Sequence, residues 1–241
     1  LLKLGTNLIF FKLSRNSLNI IKDIIAIKEI YKIIKYLRPN LIISYTIKPV
    51  LYTGLILKFF KKISFYPLIT GLGLIFIKKK SIKFKILKLV ITTLYRYSLK
   101  SVTKIIFQNI DDQNLFFKLK IIKDKNLSHI VNGSGVDLNL YPQSPVPFKP
   151  VFLMASRLLI EKGVREYIEA AKIVRKKYPS VIFQLAGRFD NSPLGISKEE
   201  LNLSIKENYI NYLGEADSIQ ALLASCKFYV LPSYREGTPK S

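Results

Sequence analysis

Apolar residues recur at three- and four-residue spacing from Leu18 to Leu37 (LNIIKDIIAIKEIYKIIKYL). That spacing predicts a long helix, ended by Pro39. Short apolar runs of strand length then alternate with helical periodicities. NLIISY reads as a buried strand, KPVLYTGLILKFF as a helix, and SFYPLIT as a strand ending at GLG. The basic run from Ser81 to Lys100 reads as a helix. VTKIIFQN is a strand, DDQNLFFKL a helix opening on Asp111, and LSHIVN a strand before GSGVD. Four prolines within Tyr141–Pro150 (YPQSPVPFKP) have linker composition. After them the alternation restarts. The strands are VFLMASR, VIFQLAG, YINYLG and KFYVLP. The helices are GVREYIEAAKIVRKKYP, SKEELNLSIKEN and DSIQALLAS, the last expected to be capped by Asp217. Strands alternating with helices give parallel sheets covered on both faces. The expected fold class is therefore α/β, with two such domains facing a cleft. The expected boundaries are 1–140 for the first domain, 141–150 for the linker and 151–241 for the second.

Charge adds a second feature. The chain carries 39 Lys and Arg against 16 Asp and Glu, a net charge of +23. Residues 1–150 hold 26 bases and 6 acids, whereas residues 151–241 hold 13 and 10. One half is thus suited to an anion: a nucleic acid, a phospholipid surface or a phosphorylated substrate. Plentiful Lys, Ile and Asn fit the compositional bias of an AT-rich genome equally well. Hydrophobic residues at 49% are enough for a core. A single cysteine, Cys226, excludes an internal disulfide, fits a reducing compartment and reads as a small core residue. The uncharged stretch Ile63–Ile77 is too short to span a bilayer and is broken by Pro67, Gly71 and Gly73. The opening residues lack a signal-peptide cleavage site and an initiator Met.

In parallel sheets, ligands bind at the carboxyl ends of strands. Four loops there hold candidate chemistry: TGLG (70–73), NGSGVD (132–137), SRLLIEKG (156–163) and PSYREGTP (232–239). GLGLIF and GSGVDL both lack the third small residue of a dinucleotide fingerprint, and no Gly-Lys-Ser/Thr is present. Turn glycine is the simpler reading of Gly71 and Gly73. Arg157 and Lys162 lie five residues apart before a helix start, an arrangement suited to a diphosphate. Each alone also reads as a solvated surface charge. Together with Glu236, a carboxylate able to accept hydrogen bonds from sugar hydroxyls, they describe a nucleotide-sugar pocket. His129, in a strand, reads as a structural residue rather than a base.

ASRLLIEKGVREYIEAAKIVRKKYP, LAGR, YLGEADSIQALLASCKFYVLPSYREGTPKS and VNGSGVDLNLYPQSP together resemble the retaining glycosyltransferase family 4, of the GT-B fold. LSRNSL, YTIKPVLYTG, ITGLGLIF and IIFQNIDDQNLFF resemble its branch that transfers hexosamine-type sugars onto lipid-diphosphate carriers. The resemblance implies that Arg157 and Lys162 hold the donor diphosphate and stabilise the leaving nucleotide. It implies that Glu236 contacts the donor sugar as the first acid of a Glu-x7-Glu motif, with Gly237 and Thr238 adding backbone contacts. Gly133 and Gly135 match a loop near the interdomain cleft. Gly71 and Gly73 fall on the acceptor side, where Arg15 and Lys48 meet acceptor phosphates. It implies no metal and no cofactor beyond a donor, UDP-linked in this branch, and a lipid-linked or glycan acceptor. It places the protein in the cytoplasm, peripheral on the inner face of the plasma membrane. The motif's second acid would fall three residues past Ser241, and the family's opening strand is not seen before Gly5. The expectation is a partial enzyme with an incomplete second domain and little activity of its own. Two other readings stand beside it: an inactive remnant, and a basic module for anionic membrane or nucleic acid. The spread of the bases and the lack of an RNA-binding motif weigh against nucleic acid.

Overall fold

The computed structural model describes residues 5–13, 19–72, 76, 81–192, 194–239 and 241. It divides into two compact units, Leu1–Gly133 and Ser134–Ser241.

In the first unit, helix α1 spans Ile20–Leu37 and starts at Asn19, whose side chain accepts from the Lys22 amide at 3.1 Å. Strand β1 (Leu41–Tyr45) is followed by α2 (Ile47–Ile56), and β2 (Ser64–Ile69) by α3 (Ile82–Ser98). Strand β3 (Ile105–Phe107), α4 (Ile110–Lys118) and β4 (Ser128–Ile130) complete the unit. The strands form a parallel sheet in the order β1-β2-β3-β4, with Leu41 opposite Ser64, Leu68 opposite Ile106 and Ile105 opposite Ser128. Helix α2 is apolar around most of its circumference because it is a core element, with Val50, Leu51, Tyr52 and Ile56 buried. Phe65, Ile69, Tyr95, Phe107 and Phe116 fill the centre, and Phe116 meets both Tyr95 and Phe107 edge-on.

The second unit runs β5 (Val151–Ala155), α5 (Val164–Lys177), β6 (Ile182–Ala186), α6 (Lys198–Lys206), β7 (Asn211–Gly214), α7 (Ile219–Ser225) and β8 (Phe228–Tyr229). Its sheet is also parallel, in the order β7-β6-β5-β8. Val164, Tyr167, Ile168 and Ala171 form the buried stripe of α5, as their spacing predicts. The Tyr167 hydroxyl lies 2.9 Å from the carbonyls of both Phe152 and Gln184, tying the helix to two adjacent strands.

Three sequence expectations are corrected. Helix α4 opens at Asn109, not Asp111: the Asn109 side chain accepts from the Asp112 amide at 2.7 Å. Helix α7 is capped by Ser218, not Asp217, because the Ser218 hydroxyl reaches the Ala221 amide. The strand expected over KFYVLP is shorter: Phe228 and Tyr229 pair with β5, the Lys227 and Val230 amides donate to Val151 and Leu153, and Pro232 onward is loop.

Candidate functional site

The loops at the carboxyl ends of β5, β6, β7 and β8 make up the candidate site of the second unit. They are held close by backbone contacts that exclude a side chain. Gly187 follows β6 at φ +146°, and a Cβ there would lie 1.7 Å from the Ser156 carbonyl oxygen. The Ser156 amide donates to Ala186 at 3.0 Å and the Leu158 amide to Arg188 at 3.0 Å, so the loops after β5 and β6 run side by side. Gly163, at φ +77°, plays the same part towards the β8 loop: a Cβ there would meet the Pro232 carbonyl oxygen at 2.2 Å.

That approach carries the β8 loop to the start of α5. The Tyr234 amide donates to Glu161 at 3.0 Å and its hydroxyl to the Glu166 carboxylate. Lys162 and Glu236, 74 positions apart in the chain, form an ion pair. Gly237 and Thr238 continue the same loop, Gly237 half-buried and Thr238 exposed.

Arg157 stands at the other end of the β5 loop and pairs with Asp190 at 3.1 Å. Hydrogen bonds from the Ser192 hydroxyl and amide hold the Asp190 carboxyl below its ordinary range, and Arg157 adds to the effect. Arg157 borders a hollow of about 210 Å³ lined also by Ser156, Gly187, Arg188, Glu215 and Ile219. The hollow is open to solvent and has a cation on one wall and backbone on another, a surface suited to part of an anionic nucleotide. Both expected donor cations are thus present on one loop, each already facing a carboxylate.

Asp190, Arg188 and Glu215 were not singled out from the sequence. The signal for them was the rule that selected the β5 loop: each follows a strand of the same sheet. Gly133 and Gly135 both adopt positive φ, +78° and +70°. Gly135 lines a second hollow of about 410 Å³ with Asp137, Tyr141 and Gln220, all within the second unit.

In the first unit, Gly71 follows β2 at φ +129°. Lys48, on the first turn of α2, pairs with Asp23 of α1 at 2.7 Å. Burial and that same carboxylate, which takes the Tyr52 hydroxyl, push the Tyr52 phenol well above its ordinary range. Thr46, at the end of β1, has φ +69° and ψ 169°, a conformation that costs a non-glycine residue about 1–3 kcal/mol and is concentrated at functional loops. No local pattern of residues signals it. Arg15 and Gly73 lie outside the described residues. Among the described residues, no group of three or more His, Cys, Asp and Glu side chains is placed to hold a metal ion.

Comparison with known proteins gives the relatives of this chain. Residues 143–241 match the family "Glycosyl transferases group 1". The chain is 31% identical over 255 aligned positions to the Campylobacter jejuni N,N'-diacetylbacillosaminyl-diphospho-undecaprenol alpha-1,3-N-acetylgalactosaminyltransferase, covering 99% of this chain. It spans 64% of that relative's length. The solved structures it resembles include sucrose-phosphate synthase from Thermosynechococcus elongatus, at TM-score 0.72 and 16% identity, over 94% of this chain and 58% of that one. HepE of Anabaena in complex with UDP matches at TM-score 0.64 and 19% identity, over 86% of this chain and 56% of that one. The fold is the GT-B fold, and residues 143–241 match the model of the group 1 glycosyl transferases.

Proposed function

We propose that the chain forms part of a retaining glycosyltransferase that moves an N-acetylhexosamine from a nucleotide diphosphate onto a lipid-linked or glycan acceptor. The observation that carries this reading is the pairing of the β8 loop with the β5 loop. It sets Glu236 on Lys162, with Arg157 on the same β5 loop. The C. jejuni relative, whose name specifies an undecaprenol-linked acceptor and N-acetylgalactosamine transfer, supports the choice of substrate class.

In this reading Arg157 and Lys162 bind the two phosphates. They neutralise the charge that grows as the bond between the sugar's anomeric carbon and the diphosphate oxygen breaks. Glu236, released from Lys162, accepts from a sugar hydroxyl. The acceptor oxygen bonds to the anomeric carbon on the face the diphosphate leaves, and its proton passes to the departing phosphate. No metal is required. A lipid-linked acceptor places the reaction at a membrane surface. In this reading the contact is peripheral; among the described residues no helix is long and apolar enough to cross a membrane.

Isothermal titration of the 241-residue chain with UDP-N-acetylhexosamine tests the reading. Binding that is lost in both Arg157→Ala and Lys162→Ala is expected. Absence of binding by the unaltered chain, or binding indifferent to both substitutions, overturns it.

A further inference from the structure

Helix α3 is apolar on two sides. Its inner side is core, with Ile91, Tyr95 and Ser98 buried. Its outer side shows Ile82, Ile86 and Leu89 to solvent at 71%, 57% and 64% exposure, with Val90 and Tyr97 beside them. An exposed aliphatic stripe on a helix that also carries Lys85 and Lys88 suits a lipid interface better than open water.

The same outer line continues at helical spacing from Ile82, Ile86 and Leu89 through Thr93 to Arg96 and Lys100, so the apolar stripe ends in two cations. These two help line a hollow of about 440 Å³ with Lys120 and Lys123 on its rim and the buried Ile105 and Ile121 in its floor. The acid of that lining, Asp124, accepts from the Asn126 amide at 2.8 Å. Lys120 has φ +52° just past the end of α4, a position where glycine is the usual occupant. The chain on either side of α3 carries one sign of charge: residues 30–110 contain 16 Lys and Arg and no Asp or Glu.

We infer that the outer stripe of α3 and the cationic hollow at its end form a docking site for an anionic phospholipid bilayer. The stripe enters the acyl boundary and the hollow takes a headgroup phosphate. Charge complementarity selects this occupant: a second copy of a surface this basic repels it, and a nucleic acid has no use for an aliphatic stripe. The inference deepens the membrane side of the proposed function and takes its purpose from that reading. Its test is independent of donor binding.

The experiment is co-sedimentation of the 241-residue chain with phosphatidylcholine vesicles, with and without roughly one quarter phosphatidylglycerol. Binding to the anionic vesicles alone is expected, weakening as salt rises. Lys120→Gln/Lys123→Gln removes two charges and lowers affinity by about 30-fold. Ile86→Glu/Leu89→Glu abolishes binding. Both double variants keep the circular dichroism spectrum and whatever UDP-sugar affinity the parent has. Equal binding to neutral vesicles overturns the inference, as does indifference to either double variant. A stripe variant that instead dissolves a dimer, or a chain that retains RNA but no vesicles, overturns it as well.

Discussion

Lys162 and Glu236 face each other across two loops that belong to different strands. Both side chains are partly exposed, so the pair adds only about 0–1 kcal/mol to folding. In the proposed function its weight falls on binding. Lys162→Met should lower UDP-sugar affinity by about 10- to 100-fold, the loss of a charge-assisted bond to phosphate, with Cm in urea nearly unchanged. Calorimetry and urea melts on the same variant separate the two effects.

Gly163 tests whether the β8 loop is held by close backbone approach. Gly163→Ala forces a side chain onto the Pro232 carbonyl at positive φ and should cost about 2–4 kcal/mol. Gly135→Ala, also at positive φ but with open space around it, should cost about 1 kcal/mol. Equal losses in urea denaturation would show that conformation alone, not the contact with Pro232, matters.

Acid stability follows from Asp190 and Glu200. Both carboxyls are held below their ordinary values of 3.8 and 4.5: Asp190 chiefly by Ser192, Glu200 chiefly by the Arg165 guanidinium at 2.6 and 2.9 Å. A depressed folded-state pKa contributes stability that is present above the unfolded-state value and lost as pH falls through the folded one. Melting temperature should therefore drop below about pH 4, and the double variant Asp190→Asn/Glu200→Gln should flatten that limb. An unchanged limb in the double variant contradicts the assignment.

Tyr95 is fully buried, and its hydroxyl lacks a hydrogen-bond partner among the described residues. Burial, with Asp112 adding to it, pushes the phenol far above its ordinary range. Tyr95→Phe removes an unsatisfied polar group without opening a cavity. It should leave stability unchanged or raise it by up to about 1 kcal/mol, read from the shift in Cm.

Cys226 is buried, and burial raises its thiol pKa. A thiol-specific chromogenic reagent should find it unreactive in the native chain at neutral pH and fully reactive in denaturant. Prompt reaction without denaturant would show that the end of α7 opens readily.

Local chemistry carried the fold a long way. The apolar stripe of α5 and the strand over residues 151–155 follow from spacing alone, because each buries one face or both against a neighbour. Expectation failed where two equivalent groups competed. Asp217 and Ser218 are both good caps, and only the path of the chain decides which reaches Ala221. The site shows the same limit. Arg157, Lys162 and Glu236 stood out by type and by loop position, but nothing local says that Arg157 meets Asp190 or that Lys162 meets Glu236. Those partners are 33 and 74 residues away. The strain at Thr46 was equally hidden, since a threonine before a helix ordinarily signals a relaxed cap.

Both sheets are wholly parallel, so no strand of either can begin by pairing through a short hairpin. The widest closure belongs to β8, whose Phe228 must find Phe152 after three helices and two strands have intervened. Loop-closure entropy places that event late on the folding path. The strand that arrives last is the one that delivers Glu236. During synthesis and refolding, the second unit can therefore hold a nearly finished sheet before the contact between Lys162 and Glu236 can form.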